Sequence, residues 1–303
     1  MLKVEALTLP YSKACRLQSA AKRFRTADGI ELAADVAGDG LRGSVMLAHG
    51  GGQTRHSWAM AGRRLARRGW RTVALDLRGH GESDWSADGD YGIERFAEDL
   101  IAVADTLPDR PALIGASLGG MAGMMVETVV APGTFRSLTL VDIIPKSDPA
   151  GVEKIMGFMG ANLDSGFASL EAAADSIAAY LPHRPRPTDL SGLSKNLRLG
   201  ADGRYRWHWD PRFVTGVHGG GRRRPEDFDD LCRAIDIPVH LIRGRLSELV
   251  SLEAAKAFVA TLKHGAFTDV ADAGHMVAGD RNDVFFDAVV AFLERTEAGI
   301  EGD

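Results

Sequence analysis

Residues 111–119, PALIGASLG, carry the strongest indication of the fold. The apolar start of this stretch is too short for a helix and is typical of a strand covered on both faces. A helix-like run follows from Met121 to Val130. Between them, GASLG at 115–119 matches the pattern G-x-S-x-G, which places a serine on a sharp strand-to-helix turn with its hydroxyl exposed. We therefore predict Ser117 as a nucleophile, although this short pattern also occurs by chance in ordinary glycine-rich turns.

Apolar runs of the same kind recur along the chain and predict the other strands of one sheet. They are SVMLAHG, TVALDL, SLTLVDI and PVHLIRG. Residues 58–68 and 93–107 lie between such runs and have helical spacing of their apolar positions. A hairpin precedes them, because residues 21–38 alternate apolar and polar around Asp28-Gly29. Strands that alternate with helices indicate an α/β fold with a doubly wound, mostly parallel sheet.

The alternation stops between Pro145 and Pro225 and resumes at Ile237. Residues 152–163 and 170–180 within this stretch have the pattern of helices. An insertion at the C-terminal edge of such a sheet lies beside the position where ligands bind. We therefore expect a lead-in at 1–21, a core at 22–145 and 236–303, and a mainly helical cap inserted at 146–235.

Aromatic residues alternate along RYRWHWD in the expected cap, namely Tyr205, Trp207 and Trp209. They either pack the cap on the core or wall a substrate pocket. Under the second interpretation, Trp207 and Trp209 are the cap residues nearest the pocket. Arg222–Arg224 could hold an anionic substrate, but a solvated loop is the ordinary interpretation of such a cluster.

A serine hydroxyl is a poor nucleophile until a base takes its proton, and a carboxylate must orient that base. His275 follows the last predicted strand and is the candidate base. Glu248 is the only carboxylate in the loop after PVHLIRG, and it gives the chain order serine, acid, histidine. Asp142, at the end of SLTLVDI, is the alternative acid. The chain order favours Glu248.

The glycine loop His49–Gly52 ends the strand SVMLA. Residues without side chains let backbone N–H groups approach a substrate oxygen, so Gly51 and Leu118 are predicted to form an oxyanion hole. Gly52 is expected to lie against the substrate. A phosphate-binding loop is the alternative, but the Lys and Ser/Thr of a P-loop are absent.

Taken together, these segments resemble the α/β-hydrolase family. The matching pieces, in chain order, are His49–Gly52, Asp76–Ser83, Gly115–Gly119, Glu248 and His275. The resemblance covers about residues 22–145 and 236–296. It implies that Asp76 and Arg78 shape the loop under the site, and that a Glu stands where most members have Asp. Ser117 replaces the Asp of family dehalogenases and epoxide hydrolases, which disfavours those activities because an ether on serine resists hydrolysis.

The resemblance implies a serine hydrolase that cleaves a small carboxylic ester, thioester or lactone through an acyl-enzyme on Ser117, without a cofactor. Cofactor-free perhydrolysis, C–C bond hydrolysis and lyase chemistry use the same residues and remain alternatives. A non-catalytic small-molecule receptor on the same fold is another. His56 and His80 have no partner at metal-ligand spacing, so no metal is expected and loop polarity is the ordinary interpretation of both.

Composition excludes several other classes of protein. The 303 residues are 45% hydrophobic and carry a net charge of -5, which predicts a globular chain and argues against a nucleic-acid partner. Two distant cysteines, Cys15 and Cys232, fit a reducing compartment. No apolar run is long enough to span a bilayer, and the N-terminus lacks the apolar centre of a secretory signal. We expect a cytoplasmic protein with a small-molecule substrate and no membrane partner; the oligomeric state stays open.

Overall fold

The computed structural model describes residues 19–182, 186, 188–216, 225–277 and 282–298. The described strands are β1 (Ala20–Arg25), β2 (Glu31–Ala37), β3 (Ser44–Ala48), β4 (Arg71–Leu75), β5 (Ala112–Ala116), β6 (Ser137–Val141), β7 (Leu197–Leu199), β8 (Tyr205–Trp207), β9 (Val239–Gly244) and β10 (Gly265–Val270). The described α-helices are α1 (Ala59–Arg67), α2 (Ile93–Ala104), α3 (Leu118–Met125), α4 (Pro149–Gly160), α5 (Leu170–Tyr180), α6 (Arg212–Thr215), α7 (Pro225–Cys232), α8 (Leu252–Thr261) and α9 (Asn282–Ala298).

One eight-stranded sheet forms the centre of the molecule, in the order β1-β2-β4-β3-β5-β6-β9-β10. The six strands from β4 to β10 in this order are parallel to one another. β2 pairs antiparallel with both of its neighbours, β1 and β4. Every predicted apolar run forms one of the parallel strands. The doubly wound, mostly parallel sheet predicted from the sequence is confirmed.

The predicted hairpin is also present. Arg25 pairs with Glu31 at its closed end, and Gly29 takes a positive φ of 90° in the turn, a conformation that glycine adopts without steric cost. Phe24 is the buried side chain of β1, so the otherwise exposed edge strand is held to the core on one face.

Side chains alternate between the two faces of each central strand, and each face has its own hydrophobic core. Met46 of β3 packs with α2, α3 and α8 on one face. Val45 and Leu47 of the same strand pack with α1 and α9 on the other. Covering both faces with helices explains why the parallel strands are continuously apolar in sequence.

The chain leaves the sheet after β6 and returns at β9. Because Leu138 pairs directly with Val239, the sheet is continuous without the intervening residues, which we call the β6–β9 segment (residues 142–238). The predicted helical pieces correspond to α4 and α5. A small antiparallel pair, β7–β8, adds structure that helical patterning did not predict. Residues 1–18 of the lead-in expected at 1–21, and Arg222–Arg224, lie outside the described residues.

Candidate active site

Ser117 lies on a strained turn between β5 and α3. Its backbone has φ 43° and ψ -109°, a conformation that non-glycine residues rarely adopt. Both flanking glycines are sterically required. A Cβ on Gly115 would lie 2.5 Å from the backbone of Gly119, and a Cβ on Gly119 would lie 2.5 Å from the carbonyl oxygen of Ala48. The structure thus has the tight turn that the G-x-S-x-G pattern predicts.

Asp142 is the carboxylate that binds His275. It directly follows β6, has a positive φ of 52° and is fully buried. His275 Nδ1 donates to Asp142 Oδ2 at 2.8 Å. The same carboxylate accepts the N–H of Gly244 at 3.0 Å and the hydroxyl of Ser247 at 2.6 Å. Charge-assisted hydrogen bonds of this kind fix both the position of the acid and the tautomer of the histidine.

Glu248, the acid predicted from the sequence, forms no hydrogen bond with His275 among the described residues. Its carboxylate is more than half exposed and forms an ion pair with Lys154 of α4 at 2.7 Å. Because β6 and β9 are parallel neighbours, the loops after both strands end beside His275, and chain order alone does not distinguish them. Ser247, and not Glu248, is the residue of the second loop whose side chain contacts Asp142.

The glycine loop lies against the serine. A Cβ on Gly50 would be 3.3 Å from Cβ of Ser117. The N–H of Gly50 donates to Gln53 Oε1 at 3.0 Å, and the N–H of Gly52 donates to His80 Nε2 at 3.1 Å. Within the described part of the chain, the N–H groups of Gly51 and Leu118 have no acceptor. These two are the donors predicted from the sequence.

Two buried histidines support this loop. His49 Nδ1 donates to the carbonyl of Gly50 at 2.8 Å, and its Nε2 accepts the N–H of Leu77 at 3.0 Å. His80 Nδ1 donates to the carbonyl of Arg78 at 2.9 Å. Burial lowers the pKa of His49 to about 4 and that of His80 to about 3, so both rings are neutral near pH 7.

Three side chains of the β6–β9 segment cover the glycine loop. A Cβ on Gly51 would lie 3.2 Å from the ring of Phe213, and a Cβ on Gly52 would lie 3.1 Å from Cε of Met159. Trp209 is buried, and its Nε1 would be 3.6 Å from the same Gly52 Cβ. The absence of side chains from the loop therefore allows the segment to approach it closely.

Trp207 lies elsewhere than expected. Its ring makes edge contacts with Phe158 and Phe167, at centroid distances of 5.9 and 5.3 Å, inside the β6–β9 segment. Residues two apart share a face only within a strand, and β8 ends at Trp207, so Trp209 is free to have different surroundings. Trp209 lies near the glycine loop, whereas Trp207 packs the segment against itself.

A model described as the alpha/beta hydrolase fold matches residues 43–281. The chain belongs to this family. Esterase Rv0045c of Mycobacterium tuberculosis is 28% identical over 256 residues, which are 82% of this chain and 82% of that protein. The 3-hydroxybutyrate-oligomer hydrolase of Cupriavidus necator is 28% identical over 223 residues, 68% of this chain and 73% of that protein.

Solved alpha/beta hydrolases have the same fold. A crystal structure from Novosphingobium aromaticivorans superimposes with a TM-score of 0.77 over 92% of this chain and 99% of that one, at 23% identity. This likeness concerns the fold and carries no information on the substrate.

Asp76 and Arg78 of this alpha/beta hydrolase have contacts within the protein. Asp76 accepts the backbone N–H of Arg55 at 2.6 Å and pairs with its guanidinium. Arg78 forms a bidentate pair with buried Asp99, at 2.7 and 2.6 Å. Both residues thus hold the loop after β4, the role that the resemblance implies.

No helix in the described part of the chain is long and apolar enough to cross a membrane. Among the same residues, no cluster of three or more His, Cys, Asp or Glu could hold a metal ion.

Met159 and Phe213 are site residues that the sequence did not single out. Phe213 lies four residues beyond Trp209, in a short helix that has no periodic pattern of its own. Met159 is one apolar residue among several on α4. Only the packing of the β6–β9 segment on the glycine loop distinguishes them.

Proposed function

We propose that the protein hydrolyses a small carboxylic ester, or the related thioester or lactone, through an acyl-enzyme on Ser117. The observation that carries this proposal is the hydrogen bond between His275 and the buried carboxylate of Asp142, at the sheet edge where Ser117 occupies its strained turn. The family relatives named as an esterase and an oligomer hydrolase support ester chemistry. The Asp142 assignment replaces Glu248.

The proposed reaction uses each group at a defined atom. His275 Nε2 takes the proton of the Ser117 hydroxyl while Oγ attacks the carbonyl carbon, and the carbonyl π pair moves to oxygen. The N–H groups of Gly51 and Leu118 bind that oxyanion. The tetrahedral intermediate collapses, and the leaving alcohol takes the proton from His275. Water then repeats the sequence on the acyl-enzyme, which releases the carboxylic acid and regenerates the Ser117 hydroxyl.

Within this mechanism, Asp142 holds the proton on Nδ1 of His275 and leaves Nε2 free to act as the base. The Ser117 hydroxyl has no hydrogen-bond partner among the described residues. Catalytic hydrogen bonds of this type often tighten only in the complex with substrate.

We further propose that residues 146–235 act as a cap that selects the substrate. Met159, Trp209 and Phe213 support this, because they enclose the loop on which the carbonyl oxygen would lie. Their apolar surfaces favour an apolar acyl chain or leaving group.

A panel of p-nitrophenyl esters from acetate to octanoate, with matching lactones, tests the function. We expect steady-state turnover by the wild type. In Ser117→Ala, kcat should be lower by at least about 10³-fold. A fluorophosphonate probe should label the wild type only. Equal turnover or equal labelling of both proteins excludes Ser117 as the nucleophile, and stoichiometric binding without turnover identifies a receptor instead.

A further inference from the structure

His80 contacts the glycine loop through its side chain, although it lies in the loop after β4. The residue is completely buried, and its Nε2 accepts the N–H of Gly52 at 3.1 Å. Sequence patterning gave it only the role of a polar loop residue. A buried imidazole that accepts a backbone N–H of the glycine loop has a more specific role than that.

The hydrogen bonds of His80 define one tautomer. Nδ1 faces the carbonyl of Arg78 and therefore carries the proton, whereas Nε2 faces an N–H group and must offer its lone pair. Protonation of Nε2 would set two N–H donors against each other. Burial lowers the pKa of His80 to about 3, so the accepting form persists through the pH range of ester hydrolysis.

Gln53 makes the corresponding contact at the other end of the loop. Its Oε1 accepts the N–H of Gly50 at 3.0 Å, and its Nε2 lies 2.9 Å from Sδ of Met276, the residue after His275. Side-chain acceptors therefore occupy the N–H groups on both sides of Gly51. Among the described residues, the Gly51 N–H has no acceptor.

A run of three glycines has no side chains to restrict its backbone, and without support it would sample many conformations. An oxyanion hole is effective only when its donors are oriented before the reaction. We infer that His80 and Gln53 are positioning residues that hold the loop 49–52 with the Gly51 N–H free and directed at the reacting carbonyl oxygen. The inference rests on the proposed function and adds residues that act through the loop, not on the substrate.

Packing is the competing explanation for His80. Its ring makes an edge contact with Phe213 at 4.9 Å, and its backbone bridges to Trp209. His80→Phe therefore keeps a ring of similar size and removes the acceptor. His80→Gln restores an acceptor near the position of Nε2. Gln53→Met removes the second acceptor at a half-buried position where folding is less at risk. His56→Phe is the control, at a half-buried histidine in the 3-10 helix Arg55–Trp58.

Turnover of p-nitrophenyl acetate provides the first measurement. We expect His80→Phe to lower kcat by about 10²-fold with KM within about twofold, because a misplaced donor acts on the transition state. Gln53→Met should show a smaller loss of the same type. His80→Gln should recover most of kcat, and His56→Phe should resemble the wild type.

An alkyl boronic acid gives the second measurement, since its adduct with serine has a tetrahedral oxyanion-like oxygen. Its Ki should rise in proportion to the loss in kcat/KM across the variants. A loss of kcat in His80→Phe that His80→Gln does not restore, or an unchanged boronate Ki in Gln53→Met, overturns the inference.

Failure of the proposed function has a different signature. If no ester is turned over, the rate of fluorophosphonate labelling of Ser117 replaces kcat, because phosphonylation also develops charge on an oxygen in the oxyanion hole. If Ser117→Ala retains full ester turnover, the function fails whatever the His80 variants do. Slower labelling in both acceptor-removing variants supports the positioning role by itself.

Discussion

The carboxylate of Asp142 is fully buried and accepts three hydrogen bonds, from His275, Gly244 and Ser247. Asparagine has nearly the same shape but presents an N–H₂ group to one of these donors and carries no charge. We expect Asp142→Asn to lower kcat by about 10⁴-fold, the loss typical of a neutralised triad acid in serine hydrolases, with a small effect on KM. Steady-state kinetics with p-nitrophenyl acetate measure this loss in kcat.

Glu248→Gln is the matched control for that prediction. Its carboxylate forms an exposed ion pair with Lys154, which contributes little to stability or to the site. We expect kcat within about twofold of the wild type. A large loss in Glu248→Gln with an active Asp142→Asn would reverse the assignment of the acid.

The residues around Ser117 show what local sequence can predict. The turn at Ser117 depends on glycines two positions away, so a pentapeptide is sufficient to predict it. Which carboxylate contacts His275 depends on how two adjacent loops pack. This packing is decided by contacts between distant parts of the chain. The sequence order of Glu248 and Asp142 therefore could not resolve it.

Helix α4 carries Met159 onto the glycine loop. Met159 Cε approaches both Gly51 and Gly52, so the thioether fills space next to the expected carbonyl position. Met159→Ala should enlarge that space and shift the preference toward longer acyl chains. We expect the ratio of kcat/KM for the hexanoate over the acetate ester to rise about tenfold, the effect of one or two buried methylenes.

Met156→Ala is the control on the same helix, since Met156 is 38% exposed and faces away from the core. Its chain-length profile should match the wild type. If Met159→Ala changes all esters by the same factor, then Met159 supports the helix and does not select the acyl chain.

Elements of the sheet and of the β6–β9 segment differ in how well the sequence predicts them. Parallel strands are buried on both faces, so their apolar runs are unambiguous, and α5 begins and ends at the predicted residues. The strands β7 and β8 have three residues each; they pair with each other, and Tyr205 of β8 also bridges to Phe167. Such short elements are stabilised by neighbours such as Phe167, and periodicity does not reveal them.

Buried histidines make the folding stability of the whole molecule depend on pH. Burial lowers the pKa of His49 to about 4 and the pKa values of His80 and His240 to about 3, from 6.5. The unfolded chain therefore binds more protons than the folded chain below pH 6.5. Their contribution is fully present above pH 6.5 and is lost as the pH falls toward 4.

Asp99 opposes this trend. Burial raises its pKa from 3.8 to about 6, against the effect of Arg78, so the folded chain takes up a proton there that the unfolded chain does not. That single group favours the folded state as the pH falls below 6. Burial also raises the pKa of Glu127, but three histidines with large shifts outweigh these two carboxylates, and net stability should decrease on acidification.

We therefore expect the melting temperature to be constant between about pH 7 and 8 and to fall steadily from pH 6.5 to 4.5, as measured by circular dichroism at constant ionic strength. His240→Gln tests the cause away from the active site. His240 lies on β9, where its Nε2 is 2.9 Å from Oγ1 of Thr268, and glutamine preserves that hydrogen bond without a titratable ring. The variant should show a shallower fall than the wild type, because one of the three buried histidines that take up a proton on unfolding is gone. A melting temperature that rises on acidification, or a slope that His240→Gln leaves unchanged, contradicts the role of the buried histidines.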